Sequence, residues 1–495
     1  MYRDRDFDLE EPLPWGAEAL KQDLELSTLF NAMARGDKYL YQVAERAVLC
    51  GLGDDLDTIT YRQDVLRDCL NHPGVVRALY QIPIASKENK QRHWMGIFSR
   101  YPGGILSSAR EMLQMFLGLL RNLREIADEH AGEFESEGFT TFFAMIQEEL
   151  DDDYLDSVEE HLHRLRFRYG VLISAELGKG LEGTNYVLRR SDIEDQSWLE
   201  RAFGPKPRSY SFTIPPRDNH GAEALGELRN RGINLVANAL AQSADHIDSF
   251  LNMLRVELAF YVGCLNVAER LSELDEPICF PDTVSANQRW RTFRGLYDVS
   301  LALTMKRKVV GNNVNANGKD LMIITGANQG GKSTFLRSLG LSQLMMQCGM
   351  FVPAESYAAN VCKGLFTHYR REEDVSMESG KFDEELGRMS AIADHIAPHS
   401  MVLFNESFAA TNDREGSEIA VQIIRALLEE DMMVFFVTHL YECAHAFYEK
   451  GMDNVIFLRA ERQSDGSRTF KLVRGRPLVT SYGEDLYKQI FGASH

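Results

Sequence analysis

Residues 321–334 read LMIITGANQGGKST, and this stretch decides the fold of the chain. Its second part satisfies G-x-x-x-x-G-K-[ST], the pattern of a phosphate-binding loop. Apolar residues typical of a buried strand precede the loop, and Phe335, Leu336 and Leu339 follow it at helical spacing. The motif requires strand, loop and helix in this order, because the glycines let backbone N–H groups surround a phosphate at the start of a helix.

The loop predicts a binding site for ATP and Mg²⁺. Lys332 is expected to reach the β- and γ-phosphates, and the hydroxyl of Ser333 is expected to hold Mg²⁺. The residues that we expect to contact the nucleotide are Gly326, Ala327, Asn328, Gln329, Gly330, Gly331, Lys332, Ser333 and Thr334.

Two further apolar runs end in residues suited to ATP hydrolysis. Residues 401–404 are followed by Asn405, which puts a neutral amide where a strand of this kind normally ends in a Mg²⁺-supporting Asp. Glu406 comes next and is the predicted general base for attack of water on the γ-phosphate. Residues 432–437 lead to His439, which is expected to sense or hold the γ-phosphate. The predicted catalytic residues are therefore Lys332, Glu406 and His439, and the predicted metal ligands are Ser333 and Asn405.

The composition is that of a soluble globular protein. Hydrophobic residues make up 44% and charged residues 26% of the 495 residues. This length predicts about two to four domains. The formal net charge of −19 argues against a protein that coats nucleic acid generally, because neutralising phosphates takes clustered Lys and Arg. It leaves room for a local basic surface.

Cysteine usage and hydropathy indicate the compartment. The seven cysteines are scattered and form no C-x-x-C pair, so we expect neither a disulfide framework nor a zinc site. The N-terminus carries no apolar segment of a signal peptide, and no run of about 18 apolar residues predicts a transmembrane helix. These features predict a cytoplasmic protein without a membrane partner.

The chain is expected to begin with helices and to end in an α/β domain. Helical spacing predicts a core region over residues 1–100 and a lever region over residues 101–290. Glycines and prolines mark a small β-rich or loop-rich insertion at about 169–220. An apolar stripe over about 222–274 predicts one long helix, either a lever or an ordinary core helix. Buried-strand runs separated by helices predict an α/β ATPase domain with a parallel sheet over residues 291–495.

Two charged segments have alternative interpretations. The acidic run at 148–153, inside a helix predicted over about 140–168, is most simply a solvated face, and a metal-binding cluster is the alternative. The insertion is either a DNA-phosphate contact or a solvated loop, because acidic residues interleave with its basic ones. Those basic residues are Arg189, Arg190, Arg201, Lys206, Arg208 and Arg217.

Taken together, these motifs resemble those of the MutS family of DNA mismatch-repair ATPases, within the ABC-type ATPase superfamily. Residues 324–334 are similar to that family's I-T-G-P-N-x-G-G-K-S-T, and residues 351–354 (FVPA) look like its Y-V-P-A segment. Residues 435–439 (FFVTH) resemble its switch strand. The resemblance is specific over about 295–460 and looser over about 20–290.

The resemblance implies an α/β P-loop domain of the ABC type, preceded by a mainly helical core and levers. It implies ATP and Mg²⁺ as cofactors, duplex DNA as a partner, and a head-to-tail homodimer formed through the ATPase domains. In such a dimer the signature region of one subunit closes over the nucleotide of the other. Residues 379–385 (SGKFDEE) match that signature in part, and Ser379 is the candidate to touch the nucleotide of the partner subunit.

Some positions depart from the family's pattern. Ala327 replaces Pro in the loop, Asn405 replaces the usual Asp, and residues 407–412 (SFAATN) differ from the family's G-R-G-T-S-T. Glu406 is retained, so hydrolysis remains the prediction. We also expect the chain to lack the N-terminal mismatch-recognition domain and a C-terminal nuclease domain.

Three functions are compatible with these observations. The predicted one is a DNA-dependent ATPase that couples nucleotide state to binding of mismatched or branched DNA in repair or recombination. The second is an ATP-driven conformational adaptor for a protein partner, which the net charge of −19 favours. The third is a weakly hydrolysing nucleotide switch, motivated by Asn405. Salt-dependent DNA binding and ATP turnover distinguish the three.

Overall fold

The computed structural model describes residues 2–53, 55–93, 101–168, 170–189, 210–371, 380–463 and 467–478. Two compact units divide the chain. The first unit combines Met1–Pro73, Ser136–Gly138 and Val256–His495. The second combines Gly74–Glu135 and Phe139–Arg255.

Helices make up most of the N-terminal half and recur between the strands of the C-terminal half. They are α1 Ala17–Asp23, α2 Leu26–Ala34, α3 Lys38–Leu49, α4 Leu56–Asn71, α5 Pro73–His93, α6 Pro102–His130, α7 Glu137–Glu149, α8 Asp152–Arg164, α9 Asn219–Ser272, α10 Val299–Met305, α11 Lys332–Gln347, α12 Lys381–Ala393, α13 Asp413–Glu429 and α14 Tyr441–Glu449. Aspartates cap several of them. The side chain of Asp37 accepts from backbone N–H groups at the start of α3, and Asp55 does the same for α4.

Twelve strands are present in the part of the chain that the structure describes. They are β1 Leu172–Leu177, β2 Gly183–Arg189, β3 Asp282–Val284, β4 Arg291–Leu296, β5 Asn312–Asn315, β6 Leu321–Thr325, β7 Ser356–Asn360, β8 Leu365–Tyr369, β9 Met401–Asn405, β10 Met433–Val437, β11 Val455–Arg462 and β12 Arg468–Arg474. They form a hairpin, β1-β2, a four-stranded sheet, β3-β7-β4-β5, and a six-stranded sheet, β12-β11-β6-β10-β9-β8.

The six-stranded sheet confirms the predicted parallel arrangement. β11, β6, β10, β9 and β8 run parallel, and only β12 pairs antiparallel, at the edge. Val434 of β10 pairs with Leu321 on one side and with Val402 on the other. Every residue of β6 and β10 is buried, which explains their continuous apolar sequences. Because the strands are parallel, the carboxyl ends of β6, β9 and β10 meet at one edge, where such sheets bind ligands.

Helices of the first unit bury apolar side chains of this sheet. α12, α13 and α14 contribute Met389, Ile424 and Phe447 to a core that also contains Phe404 and Phe436. α11 follows the phosphate-loop motif and is buried over nearly its whole length. Gly340 of this helix approaches Leu24 and Leu403 so closely that a Cβ there would lie 2.7 and 2.8 Å from their side chains. The helix that begins at the loop is therefore held rigidly against the sheet.

The prediction of one helix over about 140–168 is wrong in one respect. Two helices, α7 and α8, cover this region. Asp151 caps α8, because its side chain accepts a hydrogen bond from Tyr154 N at 2.7 Å. Asp152 and Asp153 lie in the first turn, where negative charge stabilises the positive end of a helix. The aspartates of the acidic run thus start α8, whereas Glu148 and Glu149 end α7. Among the described residues, no group of three His, Cys, Asp or Glu could hold a metal ion.

The predicted insertion contains a β-hairpin. β1 and β2 pair antiparallel, with a register shift between Ser174 and Glu176. Residues 210–214 are not in a strand, and Tyr210 is almost completely exposed. Residues 190–209 lie outside the described residues, and with them four of the six basic positions: Arg190, Arg201, Lys206 and Arg208.

The long helix predicted over about 222–274 is α9, which spans 54 residues. It is the one helix among the described residues with a window long and apolar enough to cross a membrane by length and composition. That window is 78% buried inside the protein, and the core helix of a soluble protein passes the same test. In the second unit, α9 packs Ile247 and Phe250 against Leu117, Leu120 and Leu155.

Candidate nucleotide-binding site

The loop between β6 and α11 has a backbone that needs glycine at two positions. Gly326 has φ +114° and Gly331 has φ +86°, both in the region that favours glycine. A Cβ at Gly326 would also lie 2.9 Å from the backbone nitrogen of Ala460. Gly331 is the N-cap residue of α11, so the N–H groups of the first helical turn face the loop. The loop therefore combines a tight backbone with a helix N-terminus.

Lys332 spans the loop from its C-terminal end. Its Nζ donates hydrogen bonds to the carbonyl oxygens of Gly326 and Ala327, each at 3.0 Å. The side chain is buried, and burial lowers the pKa of the ammonium group, while the carboxylate of Glu406 opposes this shift. The site thus holds a buried, incompletely compensated positive charge that suits a phosphate group.

Ser333 and Asn405, the two predicted metal ligands, lie in contact. The Ser333 hydroxyl donates a hydrogen bond to Asn405 Oδ1 at 2.9 Å. Asn405 is the last residue of β9, and Ser333 is the second residue of α11. Hydroxyl and amide oxygens are hard ligands of the kind that Mg²⁺ accepts, together with water and phosphate oxygens. The donor set fits Mg²⁺, but both side-chain oxygens are neutral.

Glu406 and His439 pair at the same edge of the sheet. His439 Nε2 donates to Glu406 Oε1 at 2.9 Å, and this bond lowers the pKa of the Glu406 carboxyl below its ordinary value. Burial opposes the shift, and the charges of Lys332 and Arg370 lower the pKa further. The carboxylate is therefore ionised at neutral pH, which is the state that a general base requires.

A cavity of about 390 Å³ opens beside the loop. Gln329, Gly331 and Thr334 form its wall on the loop side. Apolar side chains cover much of the rest, namely Leu296, Tyr297, Leu301, Met305, Val309, Val310, Phe335 and Phe470. A mostly apolar cavity that touches a phosphate loop suits the flat base of a nucleotide.

The β11–β12 hairpin covers the loop, and the sequence did not predict this. Arg468 Nη1 donates to Gln329 Oε1 at 2.6 Å. Phe470 lies beside Gly331, and Ala460 packs against Gly326. Arg468 is 139 residues from Gln329, and no local pattern in the sequence links the two.

The other predicted nucleotide contacts differ in exposure and position. Asn328 is exposed on the loop, Ala327 is buried under it, and Thr334 lines the cavity. Ser379 lies outside the described residues. All seven cysteines are free thiols.

Comparison with protein families gives two matches that together span most of the chain. Residues 54–274 match the MutS2 N-terminal domain, and residues 322–490 match MutS domain V. The second match begins at β6 and includes the phosphate-loop motif, Asn405, Glu406 and His439.

Three relatives illustrate the similarity. MutS protein homolog 4 of Homo sapiens is 28% identical over 293 residues, which are 56% of this chain and 30% of that protein. Endonuclease MutS2 of Lactobacillus helveticus (strain DPC 4571) is 29% identical over 229 residues, 44% of this chain and 29% of that protein. DNA mismatch repair protein MutS of Clostridium kluyveri (strain ATCC 8527 / DSM 555 / NBRC 12016 / NCIMB 10680 / K1) is 26% identical over 264 residues. These are 52% of this chain and 30% of that protein. The chain thus matches about a third of the length of each relative.

Proposed function

This chain belongs to the MutS family, and we propose that it binds and hydrolyses ATP and couples its nucleotide state to DNA binding in repair or recombination. The observation that carries the proposal is the meeting of three contacts at one edge of the sheet. These are the Lys332 bonds to the loop, the Ser333–Asn405 bond and the Glu406–His439 bond. Together they supply phosphate binding, a metal position and a base.

In the proposed complex, ATP lies across the cavity and the phosphate loop. Its base enters the apolar cavity beside Phe470, and its phosphates lie along the loop backbone and the N-terminus of α11. Lys332 then exchanges its bonds to the carbonyls of Gly326 and Ala327 for bonds to phosphate oxygens. The exchange compensates a buried charge with an anion, which is stronger than a bond to a neutral carbonyl.

The chain's own residues provide the hydrolytic chemistry. Glu406 orients a water molecule and accepts its proton as that water attacks the γ-phosphate. His439 holds the Glu406 carboxylate in place through its Nε2–H, and in the proposed complex it senses the γ-phosphate. Ser333 and Asn405 would hold Mg²⁺, which neutralises charge on the β- and γ-phosphates.

Replacing Asn405 with aspartate is expected to strengthen Mg²⁺ binding, because a carboxylate adds negative charge to a site whose two side-chain oxygens are neutral. We expect the Mg²⁺ concentration at half-maximal binding of a fluorescent ATP analogue to fall about 3- to 10-fold, the range a single charge produces near a protein surface. The measurement is a Mg²⁺ titration at fixed analogue concentration. Asn287→Asp, at an exposed position, is the matched control. An unchanged midpoint for Asn405→Asp would remove Asn405 from the metal site.

DNA as the ligand rests on the family and on the relatives' names. A relative from Clostridium kluyveri is named for DNA mismatch repair, and one from Lactobacillus helveticus is named an endonuclease. The expected dimer through the ATPase domains and the contact of Ser379 with the nucleotide of the partner subunit are part of the same proposal. The cytoplasmic, DNA-associated location follows from it.

A second candidate function is an ATP-driven adaptor for a protein partner. The observation that favours it is the net charge of −19, which opposes extensive contact with phosphates. A weakly hydrolysing switch is the third candidate, and the neutral Asn405 favours it. The experiment that follows separates all three.

ATP turnover of the purified protein should rise with DNA present if the proposal is right. We expect stimulation by duplex, mismatched or branched DNA, with DNA affinity that falls steeply as salt rises, because phosphate contacts release counterions. The measurement is turnover with and without each DNA, together with binding at several salt concentrations. An ATP turnover rate that no DNA changes would favour the adaptor. DNA binding without measurable turnover would favour the switch.

A further inference from the structure

The peptide that follows the proposed general base has an unusual backbone. Glu406 has φ +55° and Phe408 has φ +66°, so two non-glycine residues adopt the left-handed conformation within three positions. Each such residue costs about 1 kcal/mol or more, and it persists only where the surroundings hold it. Ser407 and Phe408 are completely buried, so their contacts are with protein groups.

Two elements of the first unit, α12 and β8, contact this peptide through buried side chains. Glu385 of α12 accepts a hydrogen bond from Phe408 N through Oε1 at 2.7 Å. His368 of β8 contacts Ser407, whose hydroxyl lies 2.8 Å from Nδ1 and 2.5 Å from the carbonyl oxygen of His368. The imidazole also stacks on the ring of Phe408, with centroids 5.3 Å apart and planes 17° apart.

Glu385 and His368 are linked to each other as well. His368 Nε2 donates to the carbonyl oxygen of Glu385 at 3.0 Å. Burial lowers the pKa of His368 to about 4, so the ring is neutral at neutral pH and carries its proton on Nε2. The Ser407 hydroxyl donates its one proton to the carbonyl oxygen of His368, and the unprotonated Nδ1 lies against the same hydroxyl. The contacts form one connected set around residues 407 and 408.

Burying the carboxyl group of a glutamate costs free energy unless hydrogen bonds compensate it. Glu385 is only 3% exposed, and burial raises the pKa of its carboxyl, while the bond from Phe408 N opposes that shift. An apolar side chain would fill the same space without this cost. Only a side chain with an acceptor oxygen can take the hydrogen bond from Phe408 N, two residues after Glu406.

We propose that Glu385 is a positioning residue for ATP hydrolysis, which with His368 holds the 406–408 peptide so that Glu406 faces the phosphate loop. The inference rests on the proposed function, because it assumes that Glu406 is the base. Loss of the acceptor releases Phe408 N and lets the left-handed peptide relax. A displacement of about 1 Å at a reacting group lowers rates about 100-fold, while nucleotide binding, which uses other residues, is spared.

The test compares Glu385→Ala, Glu385→Gln and Glu429→Ala. Glu429 is exposed at the end of α13, outside the signature region, and serves as the matched control. For Glu385→Ala we expect kcat to fall at least about 10-fold, with KM for ATP and Kd for an ATP analogue within about 3-fold of the wild type. Glu385→Gln keeps an oxygen that can accept from Phe408 N, so kcat should return to within about 3-fold of the wild type.

Hydrogen exchange supplies a readout that does not depend on turnover. Peptides covering residues 404–411 should exchange faster in Glu385→Ala and at the wild-type rate in Glu385→Gln. Absence of turnover in the wild type would defeat the proposed function, and faster exchange in Glu385→Ala would then still support the hold on the peptide. If Glu385→Ala does not fold, Ser407→Ala tests the same peptide from the His368 side with the same readouts.

Three results would overturn the proposal. They are a folded Glu385→Ala with unchanged kcat and exchange, a loss of kcat that Glu385→Gln does not relieve, and a rise in KM that accounts for the whole loss. A purely structural role for Glu385 would lower the melting temperature and leave the kcat of the folded fraction intact.

Discussion

Replacing Lys332 with alanine is expected to lower ATP turnover about 100-fold or more and to weaken binding of ATP analogues in parallel. Lys332 Nζ is buried and bonds two carbonyl oxygens of the phosphate loop, so it is placed to meet the β- and γ-phosphates. Alanine removes this charge and leaves phosphates with backbone N–H groups alone. Steady-state turnover and equilibrium binding of a fluorescent ATP analogue measure the two effects.

Lys363→Ala is the matched control for this prediction. Lys363 is exposed and precedes β8, away from the loop, so its removal should change neither turnover nor binding. Melting temperatures of both variants show whether the fold is retained. Wild-type turnover in a folded Lys332→Ala protein would mean that ATP is hydrolysed elsewhere or by a contaminant. It would withdraw the proposed site.

Replacing Glu406 with glutamine is expected to lower kcat about 100- to 1000-fold while ATP binding stays within a few-fold of the wild type. The amide keeps the size of the side chain and can still accept the bond from His439. It cannot accept a proton from water. The variant therefore separates the chemical step from binding, and single-turnover measurements with excess protein give the rate of that step directly.

The structure contains a second glutamate–histidine pair that serves as a control. Glu449 lies 3.4 Å from His445 on the exposed face of α14, with the same chemistry but no nearby phosphate loop. Glu449→Gln should leave kcat unchanged. Equal turnover of wild type and Glu406→Gln would defeat the catalytic assignment, and the weakly hydrolysing switch would become the better description.

The acid dependence of turnover provides a further check on Glu406. Its folded-state pKa lies below the ordinary value of 4.5, chiefly because His439 donates to the carboxylate. The pair therefore stabilises the folded protein above the ordinary glutamate pKa, and this contribution is lost as pH falls through the lower, folded value. Any loss of activity between pH 7 and 5 should consequently come from a group other than Glu406.

Several features of the site were predictable because they are local or repeat along the sheet. Strand, loop and helix follow one another within residues 321–347, and glycine at 326 and 331 meets backbone angles that few other residues tolerate. The pairing of Glu406 with His439 follows from two adjacent parallel strands that end level with each other. Val437 pairs with Asn405, so the residues that follow them are neighbours.

Other features were not predictable because they depend on packing between distant segments. The cavity joins residues 296–312, the loop and β12, and Arg468 reaches Gln329 across 139 positions. In the sequence, Glu385 belongs only to a partial signature, and no pattern there predicts its bond to Phe408 N. The break between α7 and α8 was missed because acidic residues suit both a solvated helix face and a helix start.

The sequence by itself determined which residues make up the candidate site: a phosphate-loop motif after a buried strand, a Glu and a His after two neighbouring strands, and Asn405 in place of an acid. Such information is carried by short motifs and by apolar periodicity, which depend on covalent neighbours. Only the tertiary structure decided what surrounds these groups. Examples are the cavity beside the loop and the contacts of Glu385 and His368 with residues 407 and 408. Long-range hydrogen bonds and packing are set by how helices and strands meet, and no periodicity along the chain encodes which pair will meet.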